Sequence, residues 1–276
     1  MTTYGWSNCP EEIKTQVASL TGGFQRILAD NLAGIYLHGS LATNCFNPQR
    51  SDADLLVVVQ SALPVQAKRH LSLLLIKESN KPVSVEAIFI LQSVLNPWQY
   101  PTPFEYRYSE DWRRSTEQSL LDGGTLWSGS TNRGVDLAAH ITVARRRGVS
   151  LFGPEPTEMF PIVPREDYVD SLFQTIYNEK IGLTVNSGKP VDAILLACSA
   201  YAHLRTEVIY SKAEAGEWAL HGLPARYHPL IQAALDTYRG EGDDLTFPRA
   251  GLSEFVNFMR EEFDKFSALS SGLNVA

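Results

Sequence analysis

The sequence predicts an α/β domain followed by an all-α half, and three observations support this. Ile35-Tyr36-Leu37, Leu55–Val59 and Pro82–Leu91 are apolar runs of strand-like composition, and helical patterns lie between them. A segment with four prolines, Phe152-Gly153-Pro154 to Pro164, then interrupts the chain. Beyond it every patterned stretch is helical. The expected domains are therefore 1–160 and 161–276.

Asn8-Cys9-Pro10-Glu11-Glu12 marks a first helix, with Asn8 as cap, Pro10 early and the acids at the positive end. Ile13, Val17, Leu20, Phe24 and Leu28 follow at helical spacing. Gly34 to Gln60 reads as strand, tight turn at Gly39-Ser40, irregular segment and strand. Leu55–Val59 is apolar throughout, as expected of a strand covered on both faces. Pro64 to Lys77 is helical, with Leu71, Leu74 and Leu75 on one face, and the strand Pro82–Leu91 follows. From Asn96 to Trp112, Pro97, Pro101 and Pro103 exclude a regular helix or inner strand. That stretch is expected to be an ordered loop leading into a short strand and then a helix. Val135 to Arg147 is a helix stopped by Gly148, with Arg145-Arg146-Arg147 a solvated end that complements the dipole. In the second half, helices are expected over Arg165–Lys180, Pro190–Tyr210, Ser211–Leu220, Ala225–Arg239 and Leu252–Phe266, with a frayed tail.

Composition narrows the class. A chain of 276 residues with 44% hydrophobic and 20% charged residues fits a globular protein. A net charge of −7 argues against a nucleic-acid binder that neutralises phosphates, and fits a cationic small substrate. Cys9, Cys45 and Cys198 are scattered without metal-ligand spacing, which points to free thiols in a reducing compartment. Neither a signal peptide nor an apolar run long enough to cross a membrane is apparent. The expectation is a cytoplasmic monomer with no membrane and no nucleic-acid partner.

The chemistry concentrates on carboxylates. Strand residues alternate, so Asp52 and Asp54 share a face, and two acids so placed repel unless a cation lies between them. Mg2+, which takes oxygen ligands and shares them with phosphates, is the natural candidate. Glu86 sits inside the apolar run Pro82–Leu91 and is costly to bury unless paired or metal-bound. If the two strands are neighbours, Glu86 joins Asp52 and Asp54 at one metal. Simpler readings stand beside these. The aspartates can be turn residues, and Glu86 can face solvent from an edge strand. Asp136 can serve a helix start, Ser211 can cap a helix that begins at Lys212, and Trp112, Trp218 and Tyr238 can be packing aromatics. His38 can be a phosphate contact or a strand-end histidine satisfied by backbone.

Gly39-Ser40, a gap, and Asp52-x-Asp54 before aliphatic residues resemble the GS…DxD pattern of the nucleotidyltransferase superfamily. In the second half, Leu151-Phe152-Gly153-Pro154, Ser211-Lys212, Gly216–Leu220, Leu223-Pro224, Tyr227 and the segment Ala233 to Tyr238 resemble the C-terminal domain of bacterial aminoglycoside adenylyltransferases of the streptomycin/spectinomycin group. The resemblance implies a nucleotidyltransferase domain with a small mixed sheet and a helical domain that clamps the reactants. It implies transfer of AMP from ATP to a hydroxyl of an aminoglycoside-type antibiotic. By position, Gly39, Ser40, Ser51, Lys212 and Tyr238 would meet the nucleotide. Asp52, Asp54 and Glu86 would hold Mg2+, and Glu86 would act as general base. Trp112, Asp136 and Asp192 would face the acceptor.

Two departures shape the expected substrate. Ser199 stands where the family often carries a phosphate-binding Arg. The segment Thr175–Asp192 lacks the Trp that streptomycin-modifying members use, which favours spectinomycin over streptomycin. The alternatives are an adenylyltransferase with another hydroxylated acceptor, and a non-catalytic, antitoxin-like protein of the same fold.

Overall fold

The computed structural model describes residues 3–124, 127, 132–177, 190–242 and 250–272. Within it the chain divides into one unit spanning Tyr4–Tyr168 and another formed from Met1–Thr3 and Val169–Ala276.

The first unit opens with α1 (Glu11–Leu28), which buries Ile13, Val17, Leu20, Phe24 and Leu28. Pro10 holds its cap position without a side-chain bond. Asn8, the expected cap, instead accepts from the Gly5 amide at 2.7 Å and closes the preceding turn. β1 (Leu32–His38) follows, then a single-turn helix α2 (Gly39–Ala42), β2 (Ala53–Val59), α3 (Val65–Glu78) and β3 (Val85–Leu91). β1 and β2 are antiparallel, whereas β2 and β3 are parallel. Parallel neighbours need a long crossover, and α3 supplies it. The proline-rich stretch holds two short strands, β4 (Thr102–Phe104) and β5 (Tyr106–Tyr108), where one was expected. β4 tolerates Pro103 because it is paired on one side only, with β6 (Asn132–Gly134) in a separate two-stranded sheet. Between them runs α4 (Arg113–Leu121). α5 (Leu137–Arg147), β7 (Val149–Phe152) and α6 (Pro156–Met159) complete the unit.

Among the described residues the main sheet has five strands in the order β5-β3-β2-β1-β7. Its two faces follow the parity of the sequence. Leu55, Val57, Ala87 and Phe89 pack with Val17, Leu20 and Phe24 of α1 and with Leu71 and Leu75 of α3. Tyr36, Leu56, Val58, Ile88 and Ile90 pack with Leu137, Ile141 and Ala144 of α5. The last turn of α5 is not simply solvated. Arg145 donates to the Phe160 carbonyl at 2.5 Å, and Arg147 to the Thr43 carbonyl at 3.2 Å.

α7 (Arg165–Tyr177) contains the division between the units. In the second unit, α8 (Pro190–Thr206) is buried on nearly every side, as the central helix of a bundle should be. It stops four residues before the expected Tyr210, because Glu207 adopts φ +60°. α9 (Lys212–Gly222) and α10 (His228–Tyr238) follow, then α11 (Leu252–Gly272), which extends past the expected end at Phe266. The expected helical residues 178–180 and the tail residues 273–276 lie outside the described residues. Cys9, Cys45 and Cys198 are buried and none is disulfide-bonded among the described residues. Among the described residues no helix is long and apolar enough to cross a membrane.

Candidate active site

Sheet register brings the acids together. Asp54 of β2 lies opposite His38 of β1 on one side and opposite Glu86 of β3 on the other. Paired residues point to one face, so His38, Asp54 and Glu86 form a row across three strands on the face covered by α5. The two carboxylates are thus brought side by side by ladder hydrogen bonds, not by chance proximity.

The turn after β1 is shaped around this row. Gly39 has φ +63°, a left-handed conformation that suits glycine, and a Cβ there would fall on the Asp54 carboxylate. Ser40 Oγ is shielded from solvent and carries no hydrogen bond. A shielded, unsatisfied hydroxyl is costly, and it is suited to a polar ligand. Ser51 Oγ accepts from the Asn47 amide at 3.1 Å, which leaves its own proton available to donate. Asp52 accepts from the Ser84 hydroxyl, in line with the β2–β3 register extended by one residue.

Glu86 is held by a residue that composition and spacing did not single out. Arg107 of β5 donates to Glu86 Oε1 through Nη2 at 2.6 Å and Nε at 3.0 Å. Through Nη1 it reaches Asp136 Oδ2 at 2.7 Å. His140 Nε2 lies 3.6 Å from the same Asp136 oxygen. His38 packs edge-on against His140 with ring centroids 5.2 Å apart, and its Nε2 is buried without a partner. Burial favours the neutral forms here, but the charges are matched. The Asp136 carboxyl is held far below its usual range, burial being outweighed by His140 and Arg107. Burial lowers the His140 imidazole, yet Asp136 raises it further, so the net shift is upward. Burial, with the nearby His140 and Arg107 charges, keeps the His38 imidazole well below its ordinary value.

Among the described residues no three His, Cys, Asp or Glu side chains converge on a common cation position. Arg107 occupies one Glu86 oxygen and Ser84 engages Asp52, so the expected trio is not assembled as such. The residues present do fit a divalent cation on a smaller set. Asp52 and Asp54 are hard oxygen donors on one strand and its lead-in, and Gly39 leaves the space the Asp54 carboxylate needs.

The remaining expected residues are placed as follows. Trp112 is 44% exposed at the turn before α4, so it is not a core aromatic. In the second unit, Ser211 caps α9 in a full capping box with Glu214. Lys212 Nζ lies 2.7 Å from Asp192 Oδ1, so an expected nucleotide contact and an expected acceptor contact are partners. Tyr238 is buried in α10, and Trp218 packs near Tyr201 and Tyr210. Ser199 back-bonds to the Leu195 carbonyl at 3.0 Å, and Arg205 is engaged by Tyr201 and Glu262.

Comparison with known proteins resolves the family. Residues 22–108 match the model of the nucleotidyltransferase domain, and residues 158–262 match that of the aminoglycoside adenylyltransferase C-terminal domain. An aminoglycoside (3'') (9) adenylyltransferase from Escherichia coli is 30% identical over 92% of this chain and 96% of its own length. The chain belongs to the aminoglycoside adenylyltransferase family. A spectinomycin 9-adenylyltransferase from Staphylococcus aureus is 32% identical over 79% of this adenylyltransferase and 82% of its own length. The fold is shared with a spectinomycin adenyltransferase from Enterococcus faecialis crystallised with ATP and spectinomycin. That structure is 23% identical, with a TM-score of 0.76 over 91% of this chain and 99% of that one. The adenylyltransferase is thus a nucleotidyltransferase enzyme, with both family domains present in order.

Proposed function

We propose that this adenylyltransferase transfers AMP from ATP to a hydroxyl of an aminoglycoside-type antibiotic, with spectinomycin favoured over streptomycin, and releases pyrophosphate. The observation that carries this reading is the in-register pair Asp54–Glu86 beside the Gly39-Ser40 turn. Relatives named spectinomycin 9-adenylyltransferase and aminoglycoside (3'') (9) adenylyltransferase support the substrate class.

Phosphoryl transfer asks mainly for positioning and charge neutralisation. Mg2+ held by Asp52 and Asp54 would neutralise phosphate charge and orient the leaving pyrophosphate. Ser40 and Ser51 donate to triphosphate oxygens, and the backbone at Gly39 is bare enough for close approach. Glu86 accepts the proton of the attacking hydroxyl, a contribution typically of about a hundredfold or more. Holding nucleophile and phosphorus in line contributes further. Lys212 and Tyr238 serve the nucleotide, and Trp112 and Asp192 the acceptor. The protein is taken to act in the cytoplasm as a monomer.

A pyrophosphate-release screen with ATP and Mg2+, run across spectinomycin, streptomycin and other aminoglycosides, tests the reading. Release with spectinomycin at several-fold higher kcat/KM than with streptomycin is expected. A clear streptomycin preference overturns the acceptor assignment. Silence with every antibiotic, alongside release with another hydroxylated metabolite, overturns the substrate class.

A further inference from the structure

We propose that Arg107 is a positioning residue that aims Glu86 at the acceptor hydroxyl, and that Asp136 acts through Arg107 rather than by touching the acceptor. This rests on the reading of Glu86 as the general base.

The geometry is asymmetric in an informative way. Nε and Nη2 of Arg107 both bond to Oε1 of Glu86, and among the described residues no bond is made to Oε2. One oxygen is tied down and the other is left to accept a proton. Arg–carboxylate pairs are frequently bidentate, with two parallel bonds to the two oxygens, and this pair is not. The register explains the aim. Arg107 pairs with Ile88 across the β3–β5 ladder, so it shares a face with Glu86 two residues away and reaches it diagonally. Tyr106 and Tyr108, on either side, point to the opposite face and are buried, which fixes the strand that carries the guanidinium.

The far side of Arg107 is equally specified. Its remaining nitrogen, Nη1, is bonded to Asp136 Oδ2, at the start of α5. Asp136 is 19% exposed, and the oxygen that meets Arg107 also faces His140. Arg107 therefore cannot rotate away from Glu86 without leaving Asp136 behind. Arginine is suited to this task because its planar fork presents donors to two partners in a fixed geometry, whereas a lysine is a point charge on a flexible stem. The proton itself passes from the attacking hydroxyl to Glu86 Oε2 as the oxygen–phosphorus bond forms and pyrophosphate leaves.

The test uses the full chain with ATP, Mg2+ and whichever antibiotic the wild type modifies best. Arg107→Gln should lower kcat roughly 10- to 100-fold, by analogy with the loss seen when the hydrogen-bonded partner of a metal ligand is removed. KM for ATP and for the acceptor should stay within about threefold, since uniform binding is untouched. Arg107→Lys should recover part of the loss, and added guanidinium ion should partly rescue Arg107→Ala. Asp136→Asn should lower kcat by a smaller factor and add nothing in the Arg107→Gln background. Unchanged kcat in correctly folded Arg107→Gln overturns the proposal. So does an Asp136→Asn defect that raises acceptor KM and adds fully to that of Arg107→Gln, for Asp136 would then bind acceptor independently. Wild type that releases no pyrophosphate with any acceptor overturns the functional reading itself, whereas active wild type with indifferent Arg107 variants overturns only the positioning.

Discussion

Gly39 and Asp54 occupy each other's space: a Cβ on Gly39 would lie 2.7 Å from the Asp54 Cγ and closer still to one carboxylate oxygen. Gly39 also adopts φ +63°. Gly39→Ala therefore forces two adjustments, a left-handed alanine costing about 1–2 kcal/mol and displacement of Asp54. The expected outcome is a modest fall in stability but loss of Mg2+-dependent ATP binding by tenfold or more. Denaturant unfolding and calorimetry read the two effects separately. Normal ATP affinity in Gly39→Ala would show that the turn does not shape the metal position.

Asp54 and Glu86 stand side by side in register yet should fail differently when neutralised. On the proposed reading Asp54→Asn removes a metal ligand, so ATP binding should lose its dependence on Mg2+. Glu86→Gln keeps the shape and removes the proposed base, so ATP–Mg2+ should still bind while turnover falls by about a hundredfold or more. Asp52→Asn should resemble Asp54→Asn. The checks are ATP calorimetry with and without a chelator, and initial rates of pyrophosphate release. Near-normal turnover in Glu86→Gln would remove it as the base.

Much of this row was legible in the sequence, and the reason is strand parity. Leu55–Val59 and the apolar run around Glu86 announce strands covered on both faces, so acids at their starts must be matched by something. What sequence alone did not expose depends on partners across the ladder. Arg107 lies in Glu105-Tyr-Arg-Tyr108, where alternation reads equally well as an exposed edge position. Only the β3–β5 register sets it against Glu86. β7 is four residues long and lacks periodicity, and it becomes a strand because β1 offers it an edge. Asn8 has the chemistry of a cap, but the Gly5 amide competes for it successfully.

Glu110 gives the first unit an acid-sensitive tie. Its Oε1 accepts from Ser79 at 2.5 Å, Tyr108 at 2.9 Å and Arg113 at 3.1 Å, and its Oε2 from Arg113 at 2.7 Å. Burial alone would raise its carboxyl, but these donors and the Arg113 charge bring it down to about 2. A folded-state value below the unfolded one contributes stability that is full above the unfolded value, near 4.3. That contribution is lost as pH falls from there toward about 2. Glu110→Gln should cost on the order of 1–3 kcal/mol at pH 7. The gap from wild type should narrow below about pH 4.5. Urea unfolding at pH 7, 5 and 4 measures it; a gap that widens with acid contradicts the assignment.

Ser211 and Lys212 are adjacent yet should separate stability from binding. Ser211 accepts from the Glu214 amide at 3.2 Å while Glu214 returns a bond to the Ser211 amide at 2.7 Å. Ser211→Ala loses that cap and should cost about 1 kcal/mol, with ATP affinity little changed. Lys212 pairs with Asp192, but the two side chains are 38% and 31% exposed, so the pair is worth about 0–1 kcal/mol. Lys212→Ala should therefore leave the unfolding midpoint close to that of wild type. If its ammonium meets a nucleotide phosphate, one charge-assisted hydrogen bond is lost, about 1.5–3 kcal/mol or roughly 10- to 100-fold in ATP affinity. Thermal unfolding and ATP calorimetry on the two variants decide it. A destabilised Lys212→Ala that binds ATP normally would make the lysine a structural partner of Asp192 and nothing more.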